Sequence, residues 1–557
     1  MLFGGTLTAF IMSVMMMSDT VIAGIFIGRE AVSGVNVVMP IYSVACFFAT
    51  LISIGIPIIY SNHVGAFRRE EADRAFGTGL TISVMTSIVL FIIIHLGSEA
   101  FLRYFGSGNR ILEYAKGYLR WMRYLALVMP VYYYLYEMVY ADGDEIFSSV
   151  SNLISGVGNI ILSVVLCRRM GTEGLGLATL ISSLAAFLFL FLHFLRKRNT
   201  LRINISFSFR IFTDVIRYGM VDACTYLFMA IFTAGMNFFV VKKFGSEALV
   251  YVAVVLLLRE AQIVFDGIGS AITPMIEVYF GEKTYHGVRR VWWLAGRTAL
   301  IESAVVTLGV IIFAEPAVSL LGIEKGPLLD MSVWGIRIMA LSLIFTCRMF
   351  LDSSYFILVR RRKLGILVCA LRDLVFCLPM AVIGGYIGGV RGMFISLALS
   401  PALAYLCSYL HVCIRYGKDN YALFLAGKEK ESKWFYEFSV RPDVIVSIRD
   451  RIGEELEAHG CPKSRTNRTM LMFEELFMII FEDNPGREIL AECSIELTED
   501  KVRMITKDDG RIMDLSDPDR RVGSIRDYIV TNMTGSFTEN RVHFMALSFN
   551  RNAFEIK

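Results

Sequence analysis

Apolar runs of about 20 residues recur along this chain from its first residues to about residue 415, and each is long enough to cross a ~30 Å hydrocarbon layer. Twelve such runs can be counted, roughly at 2–27, 33–60, 76–98, 119–141, 148–168, 174–195, 211–241, 247–278, 291–314, 331–359, 364–386 and 391–415. Short polar turns separate them. A backbone crossing hydrocarbon must satisfy its polar groups within the segment, so runs of this length read as helices. The predicted fold class is an all-α polytopic membrane protein of twelve transmembrane helices. Composition agrees: 55% of residues are hydrophobic, 19% are charged, and mean hydropathy is +0.56.

The chain also repeats itself. Gly28-Arg29-Glu30-Ala31-Val32 and Gly245-Ser246-Glu247-Ala248-Leu249 lie 217 positions apart. At an offset of 216, Gly65 meets Gly281, Phe105-Gly106 meets Leu321-Gly322, and Gly176 meets Gly392. A repeat of six spans keeps one orientation for both copies. This predicts two six-helix bundles, residues 1–208 and 209–416, facing a cavity between them. The basic loops Leu195 to Arg210, Arg68-Arg69-Glu70-Glu71, Arg289-Arg290 and Arg360 to Lys363 fall on one side of such a bundle. The positive-inside rule makes that side cytoplasmic, with both termini there and the protein in the cell membrane. The first run has no charged n-region or small-residue cleavage site, so it reads as a retained span.

One carboxylate stands inside the first run, in Met17-Ser18-Asp19-Thr20-Val21-Ile22-Ala23-Gly24. An ionisable group there costs roughly 2.5–3.5 kcal/mol on insertion scales, and such residues usually line an ion or substrate path. A carboxylate in a low-dielectric bundle demands a proton, a metal cation or a cationic substrate. If these compete for one charge, binding one releases another, which is the coupling an antiporter needs. Other intramembrane charges are Arg259, Glu260 and Asp266, and the adjacent Arg372-Asp373, which reads as a locally neutralised pair. A net charge of +4 points away from nucleic acid, and the ten cysteines form no CxxC pair or Cys/His cluster. No catalytic residues and no metal centre are therefore predicted, and the chain is not expected to be an enzyme.

After Arg415 the character changes. Residues 417–433 are polar and linker-like, and 434–557 read as one small α/β domain. Its predicted elements are a strand from Phe435 to Val440, helices at Asp443–His459 and Pro462–Glu482, a hairpin of 493–497 and 501–505, and a closing strand at Val542–Phe549.

Residues Asp19-Thr20-Val21-Ile22-Ala23-Gly24, Pro40, Gly55, Gly65, Asn159-Ile160-Ile161-Leu162 and Gly174-Leu175-Gly176-Leu177-Ala178-Thr179 carry a resemblance. Residues 1–415 resemble the multidrug and toxic-compound extrusion (MATE) family of the MOP flippase superfamily. The resemblance implies export of cationic or amphipathic compounds by alternating access in exchange for Na⁺ or H⁺. It makes Asp19 the coupling residue, with Asn159 beside it and Asp222 matching an acidic position early in helix seven. One branch of the family has an Asp four residues after the Asn, where this chain has Ser163. Superfamily flippases of lipid-linked sugars often line their cavity with Arg, and Arg259, Arg337 and Arg348 leave that alternative open. A membrane signalling protein acting through its tail is a third reading.

The tail resembles the histidine-kinase-type (GHKL) ATPase fold, nearest to anti-sigma-factor kinases. The carriers are Phe438-Ser439-Val440-Arg441-Pro442, Phe473-Glu474-Glu475-Leu476-Phe477 and Asp508-Asp509-Gly510. The resemblance implies a nucleotide site using Glu475, Asp508 and Gly510. The Mg²⁺-binding Asn of that family is Ile479 here, the second loop glycine is Ile512, and the lid is reduced to Gly523. Ile cannot ligate Mg²⁺, which demands oxygen. The expectation is a degenerate regulatory domain that admits ATP or ADP without phosphoryl transfer. No cofactor is required for transport beyond a coupling ion such as Na⁺. The expected partners are small molecules, membrane lipids and a regulatory protein at the tail.

Overall fold

The structure is a computed structural model that describes residues 2–65, 68–105, 109–196, 199–281, 285–416, 432–511, 533–539 and 549–556. It divides into two compact units. One is Gly5–Ser270 with Ala295–Lys418, and the other is Ala271–Leu294 with Asp419–Lys557 and Met1–Gly4.

The first unit is helical. Its amino-terminal part holds α1 (Leu2–Phe26), α2 (Arg29–Gly65), α3 (Arg69–Phe105), α4 (Asn109–Ala141), α5 (Glu145–Met170) and α6 (Thr172–Phe191). Then come α7 (Phe209–Phe244), α8 (Leu249–Ala261), α9 (Asp266–Gly281) and α10 (Tyr285–Ile312), of which residues 271–281 and 285–294 belong to the second unit. The short α11 (Ala314–Ser319), α12 (Pro327–Ala340), α13 (Leu343–Leu358), α14 (Arg362–Ala370) and α15 (Cys377–Tyr416) complete it. The chain is a multi-pass membrane protein. Among the described residues nine helical stretches are long and apolar enough to cross a membrane, or ten if the bent pair α12–α13 is one span.

That count differs from twelve for two physical reasons. Helix α4 carries Tyr124, Tyr132, Tyr133, Tyr134 and Tyr136, and it is absent from the apolar stretches. The stretch Arg362–Tyr416 is continuous by composition, yet its backbone leaves helical geometry at Gly388 and Gly389. It thus contains both of the predicted last spans. Span eight, predicted as one run over 247–278, is broken between α8 and α9 by a 3₁₀ turn at Gln262–Phe265. A π-helical turn at Leu371–Val375 interrupts the next-to-last span where Arg372 and Asp373 lie. Breaks of this kind free backbone groups and gather at functional sites.

Packing follows from small residues. A Cβ on Gly24 would lie 2.1 Å from the Leu320 carbonyl oxygen, and one on Gly322 would lie 2.7 Å from the Gly24 oxygen. Gly322 also has φ +72°, a left-handed value that favours glycine. The end of α1 and the turn before α12 therefore touch backbone to backbone. The repeat positions Gly28 and Gly245 share positive φ, 117° and 88°. Gly106, which belongs to the same repeat, lies outside the described residues. Leu96, Ile301, Val305 and Ile312 are exposed on α3 and α10. Apolar surface of that extent fits lipid contact.

The second unit contains a five-stranded antiparallel sheet in the order β1-β2-β3-β5-β4. The strands are β1 (Lys433–Ser439), β2 (Leu490–Leu497), β3 (Val502–Asp508), β4 (Met533–Glu539) and β5 (Phe549–Ile556). Helices α16 (Pro442–Ala458) and α17 (Lys463–Glu482) share a core with it. Tyr436, Phe438, Ala491, Cys493, Ile495, Val502, Met504 and Phe554 meet Ile445, Ile452, Phe473 and Phe477 in that core. The expected first strand, both helices and the hairpin are present within a few residues. The closing strand is Phe549–Ile556, a correction to Val542–Phe549, of which 542–548 lie outside the described residues. Residues 417–431 of the expected linker, Ile512 and Gly523 lie outside them too.

Candidate functional site

Asp19 is buried on α1 and is met by four side chains from three other helices. Its Oδ2 accepts from Tyr118 Oη at 2.9 Å and from Thr179 Oγ1 at 3.0 Å. Its Oδ1 accepts from Asn159 Nδ2 and Ser163 Oγ, both at 3.2 Å. Tyr118 comes from α4, Asn159 and Ser163 from α5, and Thr179 from α6. Among the described residues no Lys, Arg or His forms an ion pair with Asp19. Four neutral donors solvate the charge without neutralising it, so a mobile cation has a place to compensate it.

The donors are also adjustable. Ser163 Oγ lies 3.1 Å from Asn159 Oδ1, and Thr179 Oγ1 lies 3.3 Å from that oxygen and 3.1 Å from the Leu175 carbonyl. Each hydroxyl has a second acceptor to turn to. Protonation of Asp19 converts one oxygen from acceptor to donor, and the released hydroxyl can swing to Asn159 or Leu175. The same carboxylate, amide and hydroxyl oxygens form a hard donor set of the kind Na⁺ takes. Among the described residues no group of three or more His, Cys, Asp or Glu could hold a metal ion.

The structure brings Asp19 and Asn159 together as the sequence reading expected. Asp222 is exposed on α7, and its electrostatic neighbours are Asp266 and Arg362. None of the four hydrogen bonds to Asp19 comes from it. From the other half of the repeat, Glu260 at the end of α8 is an electrostatic neighbour of Asp19, and its backbone oxygen accepts from Ser13 Oγ at 2.8 Å. Arg372 and Asp373 form the local pair expected of them, at 2.9 and 2.7 Å. Arg259 joins them, donating to the Asp373 side chain at 3.1 Å while its guanidinium lies 4.0 Å over the Phe232 ring. Arg348 pairs with Asp352 at 3.1 Å, and Arg337 donates to the Ile311 carbonyl. The three arginines that left the flippase alternative open thus have partners already.

Sequence reasoning missed Tyr118, Ser163 and Thr179 as site residues. Ser163 had a signal, since it stands four residues after Asn159 and therefore on the same helical face. Reading it as the loss of a carboxylate hid its role as a donor. Tyr118 had none, lying 99 positions from Asp19.

In the second unit Asp508 is buried at the end of β3, and its Oδ1 accepts from the Gly510 backbone at 3.0 Å. Asn484, just past α17, closes this turn by accepting from the Arg511 backbone at 2.9 Å and donating to Ile480 at 2.8 Å. A Cβ on Gly510 would meet Asp508 Oδ1 at 2.9 Å and Asn484 Nδ2 at 3.0 Å. Glu475 is half-buried on α17.

The helical bundle has the fold of solved MATE transporters. It is similar to the inward-facing conformation of a multidrug resistance MATE family transporter of the MOP superfamily, with a TM-score of 0.67 and 19% identity over 74% of this chain and 97% of that one. The outward-facing conformation gives 0.60 at 19% identity, over 74% and 95%. A MOP superfamily transporter from Pyrococcus furiosus, for which reverse polarity of the binding pocket suggests a different function, gives 0.62 at 18% identity, over 74% and 95%. The MatE family model matches residues 6–165. Among curated relatives, the multidrug export protein MepA of Staphylococcus saprophyticus is 22% identical over 70% of this chain and 86% of its own length. The probable multidrug resistance protein YoeA of Bacillus subtilis is 26% identical over 32% of this chain and 40% of its own length.

Proposed function

We propose that this chain is a MATE-type multidrug exporter, a secondary active antiporter that exchanges Na⁺ or H⁺ for cationic or amphipathic compounds. Residues 1–208 and 209–416 act as two six-helix bundles that open alternately to the two sides of the cell membrane, with both termini cytoplasmic. Asp19 is the coupling residue and Asn159 its partner. Asp222 with Asp266 offers negative charge to a substrate in the other half. The observation that carries the reading is the buried Asp19 carboxylate, held by four neutral donors and by no basic residue among those described. Relatives named as multidrug exporters support it. The lipid-linked sugar alternative is not favoured, because Arg259 and Arg348 are each paired with an acid.

The tail, 434–557, is a degenerate ATPase-like regulatory domain in this reading. Its two helices on an antiparallel sheet and the closed Asp508–Gly510 turn support it. Glu475, Asp508 and Gly510 are the residues set toward ATP or ADP, and a regulatory protein is the other occupant of this surface. Calorimetry of the purified full chain tests this. Heat with ADP that Asp508→Asn abolishes supports it, and no heat at millimolar nucleotide rejects it.

The transport reading is tested by dye efflux from an efflux-deficient bacterial host. Wild type lowers the cellular retention of cationic dyes, and Asp19→Asn at equal membrane level does not. Equal efflux by both would overturn the assignment of Asp19.

A further inference from the structure

The sheet of the second unit has two faces. Tyr436, Phe438, Ala491, Cys493, Ile495, Val502 and Met504 point into the core shared with α16 and α17. The alternate residues point the other way. Glu437 on β1, Glu492 on β2 and Lys507 on β3 are direct cross-strand partners, so they form one row across that second face. Two glutamates side by side repel, which disfavours the pairing unless a donor or cation meets them.

The end of α9 and the start of α10 supply both. Tyr279, near the end of α9, donates its hydroxyl to the Glu492 carboxylate, with distances of 2.7 and 2.6 Å to the two oxygens. Arg290 of α10 pairs with Glu437. The Lys507 ammonium lies 4.1 Å from the Tyr279 ring centroid, and the His286 ring lies 5.0 Å from that of Phe435. A Cβ on Gly287 would fall 2.4 Å from the Tyr279 ring, so that position keeps the ring in place only as glycine. Every member of the Glu437–Glu492–Lys507 row thus has a partner on one of these two helix ends.

We propose that this sheet face is a docking surface for the end of α9 at Tyr279 and the start of α10 at His286 to Arg290 of the same chain, and that docking restrains the transport cycle. The second half of the proposal rests on the transport reading. Alternating access moves the ends of membrane helices, and a contact formed in one conformer shifts the population toward that conformer. The α9 helix begins at Asp266 and carries Tyr279 near its other end. Gripping one end of a helix limits the travel of the whole rod. The tail is in this way a brake, and a ligand or partner that takes the sheet face releases it.

The test uses the full chain in membranes. Tyr279→Cys with Glu492→Cys, treated with a short bis-maleimide, should cross-link within one chain. A protease site placed within residues 417–431 then leaves the tail attached only in cross-linked molecules. Separately, Arg290→Glu and Glu437→Arg should each raise dye efflux about three-fold, the size of a modest population shift. The double exchange should return efflux to the wild-type level, which simple misfolding would not do. Absence of the cross-link overturns the docking. A cross-link with efflux unchanged by either single exchange, or unrestored by the double, overturns the brake. A chain that exports no dye at all removes the transport reading and the brake with it, while the cross-link still reports the docking.

Discussion

The Tyr118 phenol and the Asp19 carboxylate are joined by a 2.9 Å hydrogen bond between α4 and α1. A bond to a charged group contributes about 1.5–3 kcal/mol. Tyr118→Phe withdraws that stabilisation from the anion, so the anion holds its coupling cation more tightly and releases it more slowly. The expected result is a half-saturating coupling-ion concentration lowered roughly ten-fold, following about 1.4 kcal/mol per decade, together with slower efflux. Flux measured against coupling-ion concentration checks this, and an unchanged half-saturation would make Tyr118 a packing residue.

Gly24 and the 320–322 turn meet backbone to backbone. The added methyl of Gly24→Ala has no flexible neighbour to displace. A loss of about 1–3 kcal/mol is expected from such overpacking. The thermal midpoint of the detergent-solubilised protein should fall, and an unchanged midpoint would mean that the contact yields.

His193 is fully buried between two carboxylates, with Nε2 2.9 Å from Asp142 and Nδ1 3.0 Å from Asp144. Arg196 adds a contact to Asp144 at 2.8 Å. These groups bind the turn after α4 to the segment after α6. His193→Ala leaves Asp142 to Thr200 and Asp144 to Arg196 alone, and a buried polar group that loses a hydrogen-bond partner costs about 1–3 kcal/mol. The folded yield of this variant should drop sharply, whereas His193→Gln, which can still donate, should retain more of it.

The tail has its own acid-sensitive point. Hydrogen bonding from Lys501 and Arg503 at 2.5 and 3.0 Å holds the Glu555 carboxyl below the usual carboxylate range. A depressed acid stabilises the folded state above its unfolded value and loses that stabilisation as pH falls through its folded value. Hydrogen exchange of β5, corrected for the intrinsic rate, should accelerate below about pH 4. Glu555→Gln should flatten that dependence. The effect is small, because the group is largely solvated.

Much of this architecture was legible in the chain because membrane helices announce themselves by length and apolarity. The breaks were less legible. Nothing in 247–278 marks Gln262–Phe265 as a 3₁₀ turn, since packing decides where the helix yields. Asp19 was visible as a lone acid in an apolar run, and Asn159 through a resemblance. Tyr118 and Thr179 come from sequence-distant helices and acquire their roles only on assembly. In the tail, β4 escaped notice because Gly535 and Ser536 interrupt the run of branched and aromatic residues that marks a strand. The last strand was placed early because Asn552 alternates inward with Phe554 and Ile556, which weakens the apolar period.

The most direct test of the central claim uses proteoliposomes containing the full chain and an imposed Na⁺ or H⁺ gradient. Dye movement should follow the gradient, reverse when the gradient is reversed, and vanish with Asp19→Asn while dye binding to the detergent-solubilised variant persists. Gradient-driven movement that survives Asp19→Asn would contradict the account, because coupling would then reside elsewhere in the bundle.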